Sequence, residues 1–449
     1  MFGWVYLSAE RFVRSTPRRA ARWVRVVPPR LIRQLAKAKL VRLLRYVYRS
    51  SPAQRERWRK AGVRSFHLHS VRALGRIPFC SADLLAREPD SFFCVPRERL
   101  THIITTSGTS GQQKKLYFTN RDLVRQANMM GTMLCHLPGA SRALATFGQT
   151  TPTGTMGKFI RRSVEEAEMF GLLVGAHLSP DEMIDVIREH GIDVVMSTPD
   201  VMHRITLEAR ADLEGLGVRY IILGAQPWTE KLRDELEHAW GALVLDAYGT
   251  NECGTAVACE CVHKNGLHVS EVDFWVEIID PKTERPLAPG EEGELVLTTL
   301  SRRGMPLVRY RTGDLARLLP ESGRCECGFP LRKLSRIRGR IDNMLIIGGG
   351  CNIYPDQFDE AILGIPGVTD YQLTLGKDRY REVLHLTVES DERGAAVEKA
   401  MHDALMAIDG IKFSCEVTHL LEIGRLASVP RGSLSRGRPK TVRIVDKRD

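Results

Sequence analysis

The chain has 449 residues and a formal net charge of +11. That length is too great for one hydrophobic core, so two or three domains are expected. Apolar residues make up 43%, ordinary for a globular protein, and no apolar run reaches the roughly 18 residues that a membrane-spanning helix needs. Ten cysteines in a chain this long exclude a disulfide-built scaffold and point to a reducing cytoplasm.

Residues 1–75 are read as a basic helical segment that packs on the following domain. Arg18, Arg19, Arg22, Arg25, Arg30, Arg33, Lys37, Arg42, Arg45 and Arg49 interleave with apolar residues at helical spacing. The apolar start, Met1 to Leu7, lacks a basic region before it and a cleavage site after it, so no secretory leader is expected. The large domain is placed at 76–341. Within it Ile192–Thr198 reads as a buried strand, and Val218–Leu223 as a second, closed by Gly224. Thr229–Trp240 reads as a helix with Thr229 as its N-cap, and Leu243–Tyr248 as a third strand. Strand, helix, strand in this order implies a parallel α/β sheet, with ligands beyond the carboxyl ends of its strands. That places 224–227 and 248–252 on one rim. From 267 to 320 period-two strands, Phe274–Ile279 and Gly293–Thr298, alternate with Pro/Gly turns, the pattern of an antiparallel or barrel-like β subdomain. Residues 342–449 are read as a small α+β domain, with a helix from Pro355 and strands near Leu373 and Leu384.

Residues 103–115 carry the strongest chemical signal. Gly108 and Gly111 lie among Thr105, Thr106, Ser107, Thr109 and Ser110, followed by Lys114 and Lys115. Glycines let the backbone approach an anion, free N–H groups form an anion cradle, and a lysine adds a mobile charge. The stretch suits a polyphosphate, but its spacing is not that of a Walker-type loop. Four further motifs can be read for chemistry. Tyr248-Gly249-Thr250-Asn251-Glu252 follows a strand, with a ring to stack on a purine and a carboxylate to hold Mg²⁺. Asp314, in Arg309-Tyr-Arg-Thr-Gly-Asp314, can accept both hydroxyls of a ribose. Arg338-Gly-Arg340-Ile-Asp342-Asn343 marks a domain junction, and Pro439-Lys440 places a lysine in the tail.

The series TTSGTSGxxK, GAQPW, DAYGTNE, RYRTGDL, RGRIDN and a terminal PK resembles the adenylate-forming, acyl-CoA synthetase-like superfamily, and within it the phenylacetate–CoA ligase family. The likeness runs from about Leu43 to the C-terminus. It implies that a carboxylate attacks the α-phosphate of ATP to give acyl-AMP, and that a thiol then displaces AMP. Ser107, Gly108, Thr109, Ser110, Gly111 and a lysine would hold phosphates; without the family's usual proline the choice between Lys114 and Lys115 stays open. Gly224, Ala225 and Gln226 would line the adenine pocket, with Tyr248 and Gly249 flanking it. Asn251 stands where Ser or Thr is usual, and Glu252 would act with Mg²⁺. Asp314 and Arg340 would hold the ribose, Asp342 would be the hinge of a mobile C-terminal domain, and Lys440 would support adenylation.

The implied substrates are ATP, a small carboxylic acid and CoA. The acid is aryl or related, its pocket near 147–155 and 224–250; Gln149–Thr155 is polar enough for a hydroxylated, amino-substituted or heterocyclic acid. An acidic acyl carrier protein is the alternative acceptor; the positive charge suits it, and suits CoA as well. A non-catalytic nucleotide- or nucleic-acid-binding protein is the remote alternative; no nucleic acid is expected, and a homodimer is allowed. Cys261, His268, Cys325 and Cys327 have the spacing of a zinc site, with Cys259 or His263 as substitutes. Some members of the resembled family carry a structural zinc in this region.

Overall fold

The computed structural model describes residues 16–106, 114–146, 154–174, 178–209, 212–226, 228–254, 256–321, 323–341, 345–347, 351–378, 381–434 and 443–448, without the side chains of 346 and 352. The chain divides into two compact units, one of 1–226 and 235–337, the other of 227–234 and 338–449.

In the first unit α1 (Pro17–Val26), α2 (Pro29–Ser50) and α3 (Pro52–Lys60) each begin with proline at the first turn, where its missing N–H costs nothing. Their basic faces are exposed. Leu40, Leu43, Leu44, Val47 and Trp58 are buried with Leu300 and Val308 in one cluster. Arg18 pairs with Glu168, Arg33 with Glu321, and Lys39 Nζ donates to Ser301 Oγ at 2.6 Å. The N-terminal helices are thus part of this unit's core.

The hairpin β1 (His102–Thr106) and β2 (Lys114–Phe118) is antiparallel, with Thr106 opposite Lys114. Beyond it a mixed sheet is assembled from β3 (Arg142–Ala145), β4 (Phe170–Leu173), β5 (Val194–Ser197), β6 (Tyr220–Gly224), β7 (Leu243–Tyr248), β8 (Ala258–Glu260), β9 (Leu267–Val269) and, out of sequence, Lys333–Leu334. Its order runs from that last strand through β9, β8, β7, β6, β5 and β3 to β4. The five strands from β7 to β4 are parallel, and β8 and β9 add antiparallel at the far side of β7. Fully buried Val, Ile and Met in β5 and β6 are what a parallel sheet covered on both faces requires. The helix after β6 is Glu230–Trp240, and the Leu232 N–H donates to Thr229 Oγ1 at 3.3 Å, the cap the sequence predicts.

The strands β10 (Phe274–Ile279), β11 (Glu292–Thr299) and β12 (Tyr310–Arg317) form an antiparallel meander. The barrel-like alternative is corrected: among the described residues this sheet stays open. Its strands are too few to close on themselves, and its apolar face is covered by residues such as Phe92, Phe118 and Leu267 in a shared core.

The second unit holds a hairpin of Leu345–Ile347 with Cys351–Ile353, a helix Pro355–Ile362, and a sheet around two long antiparallel strands, Val368–Asp378 and Arg381–Ser390. Leu421–Val429 and Ile444–Asp446 add parallel at its two edges. Helices Ala395–Met406 and Asp409–Glu416 share its core through Met401, Leu405 and Ile411. No helix among the described residues is long and apolar enough to cross a membrane.

Candidate active site

The carboxyl ends of β6 and β7 form the rim that the parallel order predicts. Gly224 pairs with Ala247, and a Cβ on Gly224 would lie 2.9 Å from the Ala247 carbonyl oxygen; only glycine fits that approach. Ala225 then takes φ +68°, a left-handed conformation that costs a non-glycine residue about 1 kcal/mol or more. Next to it, Gln226 Oε1 is buried without a hydrogen-bond partner among the described residues, an acceptor turned from water.

From β7 the chain enters the turn 249–254, closed by Cys253 N–H to Thr250 Oγ1 at 3.1 Å. The Tyr248 hydroxyl donates to Asp314 Oδ2 at 2.6 Å. Burial and the Asp314 charge raise its phenol well above the ordinary range, so it stays a donor. The turn also presents Glu252. Alternation along β2 faces Lys114 inward and Lys115 outward, and Lys114 Nζ lies 2.5 Å from Glu252 Oε1, each side chain about 10% exposed. Burial pushes the Glu252 carboxyl up, but the Lys114 ammonium outweighs it and holds the group below its usual value.

Two residues at this point had no role in the sequence reading. Tyr310, inside the Arg-Tyr-Arg-Thr-Gly-Asp motif, hydrogen-bonds Glu252, and burial followed by the Glu252 charge raises its phenol. Arg302 is 3% exposed. Its Nη1 donates to the Glu252 carbonyl at 2.5 Å and its Nη2 to the Tyr117 carbonyl at 3.0 Å, with the guanidinium 4.0 Å over the Phe118 ring. Burial lowers its pKa to about 10. It ties β2 to the Glu252 turn. Its sequence signal was an arginine inside an otherwise tight turn, Leu300-Ser-Arg-Arg-Gly304.

The structure therefore gathers Lys114 with Glu252, and Tyr248 with Asp314. Arg340 belongs to the second unit. Ser107–Gly111, Asp342, Lys440, Pro227, 147–153 and 348–350 lie outside the described residues.

A second cluster lies on the antiparallel extension of the sheet. Cys261 follows β8, His268 is in β9, and Cys325 and Cys327 sit in the turn before Lys333–Leu334; their ligand atoms all fall within 4.8 Å of one another. A tetrahedral zinc at ~2.3 Å from thiolates and ~2.0 Å from imidazole sets its sulfurs about 3.8 Å apart and a sulfur and nitrogen about 3.5 Å apart. Cys261 Sγ and Cys325 Sγ are 3.8 Å apart, and Cys327 Sγ and His268 Nε2 3.4 Å, so the donor set fits that ion. The Cys261 thiol is held below its ordinary value, foremost by its hydrogen bond with Cys327. Cys259 and His263 are not in the group; His263 faces Glu326 at 3.4 Å.

Comparison with known proteins places the chain in a family. The family model for AMP-binding enzymes matches residues 31–301, and that for the AMP-binding enzyme C-terminal domain matches 350–448. The chain is 33% identical over 376 residues to a phenylacetate–coenzyme A ligase of Thermus thermophilus, covering 82% of this chain and 83% of the relative. It is 30% identical over 426 residues to that of Escherichia coli, covering 90% and 92%. In fold it is similar to 2-hydroxyisobutyryl-CoA ligase in the postadenylation state with 2-HIB-AMP, with a TM-score of 0.77 and 21% identity over 93% of this chain and 89% of that one. The chain belongs to the adenylate-forming AMP-binding enzymes and, within them, to the phenylacetate–CoA ligase family.

Proposed function

We propose that this chain is an ATP-dependent carboxylate–thiol ligase that converts an aryl or related acid to its acyl-AMP and transfers the acyl group to CoA. The observation that carries the reading is the buried Lys114–Glu252 ion pair, set on the turn beside the β6–β7 rim. An acid oxygen attacks the α-phosphorus and pyrophosphate leaves; a thiolate then attacks the acyl carbonyl and AMP leaves. The Gln226 acceptor receives the exocyclic amine of adenine. Asp314, oriented by Tyr248, accepts hydrogen bonds from the ribose hydroxyls, and Arg340 donates to the ribose oxygens. Segment 107–111 and Lys114 neutralise the phosphates, and Lys440 does so during adenylation alone. Asp342 is the hinge between the half-reactions.

Glu252 is a single hard-oxygen donor, as expected for Mg²⁺ held by one carboxylate and substrate phosphates. That ion would add charge neutralisation at the phosphates. Zinc at Cys261, His268, Cys325 and Cys327 would close all four positions and serve stability. A carrier-bound thiol is the second acceptor; the net charge of +11 suits an acidic carrier and CoA alike.

The test is acid-dependent exchange of labelled pyrophosphate into ATP across a panel of aryl, hydroxylated and heterocyclic acids. Exchange with one class and product formation with CoA are expected. Absence of exchange with every acid refutes the ligase.

A further inference from the structure

The exposed face of α2 carries cations that the ligase reading does not use. Lys37, Arg42, Arg45 and Arg49 line a hollow of about 650 Å³. Arg42 and Arg49 are shared with a second hollow of about 580 Å³, whose other wall carries Arg99, Arg121 and Arg303. Among the described residues no aspartate or glutamate lines either one. Among the described residues, Lys37, Arg45, Arg49, Arg99 and Arg121 have no carboxylate partner. Between the cations the surface is aliphatic, with Ala38, Val41, Val71 and Val95.

The groove is separate from the Thr106–Lys114 end of the β1–β2 hairpin. Thr101 and Thr119, which border it, flank the opposite end of that hairpin, and strands of five residues hold the two ends about 17 Å apart.

Its shape and composition select the partner. From Lys37 to Arg49 the helix face runs about 18 Å at 1.5 Å per residue, too long for one phosphate group. Among the described residues no glycine lines either hollow, as a backbone phosphate cradle would require. A lipid surface is flat and would leave the two hollows unfilled. Cations flanking an aliphatic floor complement a helix that is apolar on one side and acidic along its borders. We infer that this groove docks an acidic amphipathic helix of a partner protein, about three turns long. The inference does not depend on the ligase reading.

The test uses the full chain and a fluorescein-labelled synthetic amphipathic peptide of Glu and Leu, about 14 residues long, followed by anisotropy at two salt concentrations. The double variant Arg45→Glu/Arg49→Glu is compared with Arg19→Glu/Arg22→Glu, an equal charge change on α1. Loss of about tenfold in affinity in the groove variant, with the α1 variant within about twofold of the parent, is expected. Unaltered pyrophosphate exchange, or an unaltered melting temperature if no exchange is measurable, shows that both variants fold. Equal losses in the two variants, or no peptide binding by the parent, overturn the proposal. So does groove-dependent binding of tripolyphosphate or phosphatidylglycerol vesicles that the peptide does not displace.

Discussion

Lys114 and Lys115 are neighbours in sequence and opposites in space, because successive side chains of a strand point to opposite faces. Only Lys114 reaches Glu252. Lys114→Ala should lower pyrophosphate exchange about 10²–10³-fold, the scale of losing one preorganised charge at a reacting phosphate. Lys115→Ala should stay within about twofold. Equal effects in steady-state assays would remove the assignment. The same pair makes a prediction about pH. The folded Glu252 carboxyl lies below its ordinary value of 4.5, so its ion pair stabilises above the unfolded pKa, and the gain is lost as pH falls through the folded one. Thermal melts between about pH 3 and 7 should show a steeper acid-side fall for the parent than for Glu252→Gln; parallel curves would contradict the pairing. At this scale the motif was legible but its geometry was not. Two adjacent lysines carry no mark of which one faces inward until the strand's register is known. Arg302 and Tyr310 act on Glu252 from 50 or more positions away in sequence.

The elements show how short motifs are held in place. The Cys/His cluster brings together the 325–327 turn, Cys261 just after β8 and His268 in β9. If zinc is bound there, removal by a strong chelator should lower the melting temperature by several degrees and Cys327→Ser should do the same. Metal analysis of the purified protein gives the independent check, and an unchanged melt after demonstrated metal removal would rule out a stabilising ion. In the second unit a polar clamp borders the segment that contains Lys440. Arg443 Nη1 donates to Asp359 at 2.9 Å and its Nε to Asp370 at 2.9 Å, while the Tyr371 hydroxyl donates to Asp359 at 2.7 Å. On the other side Glu389 accepts from the Gly432 and Leu434 N–H groups at 2.9 and 2.6 Å. Removing Arg443 strands a buried carboxylate, which costs about 3–5 kcal/mol when such pairs are broken. Arg443→Ala should therefore unfold this unit at lower denaturant, and Arg443→Lys should recover only part of the loss because one ammonium cannot fork to two carboxylates. Strand and helix positions here were readable from period and cap: Phe274–Ile279, Leu243–Tyr248 and the helix after Thr229 all form where the pattern places them. The clamp was not, since Asp359 and Arg443 are 84 residues apart.

Across the whole molecule, two units divide the labour that the ligase reading requires. Lys440 and Arg340 belong to one, Lys114, Glu252 and Asp314 to the other. Lys440→Ala should abolish acyl-AMP formation while leaving thiolysis of supplied acyl-AMP within about threefold, because a charge needed only at the departing pyrophosphate has no part in the second step. Single-turnover assays of each half-reaction decide it, and equal loss of both would refute a role confined to adenylation. The order of motifs along the chain by itself determined the family and the α/β class, because each motif pairs a local chain geometry with residue types that one chemistry needs. Hydrophobic period also set most strands and helices, since burial of one face is a local property. Tertiary structure alone decided which lysine meets Glu252, that the antiparallel sheet stays open, which four of the candidate ligands come together, and that Arg302 and Tyr310 support the site. Those are matters of register and long-range packing, and residues distant in sequence carry no record of their distance in space until the sheets have formed.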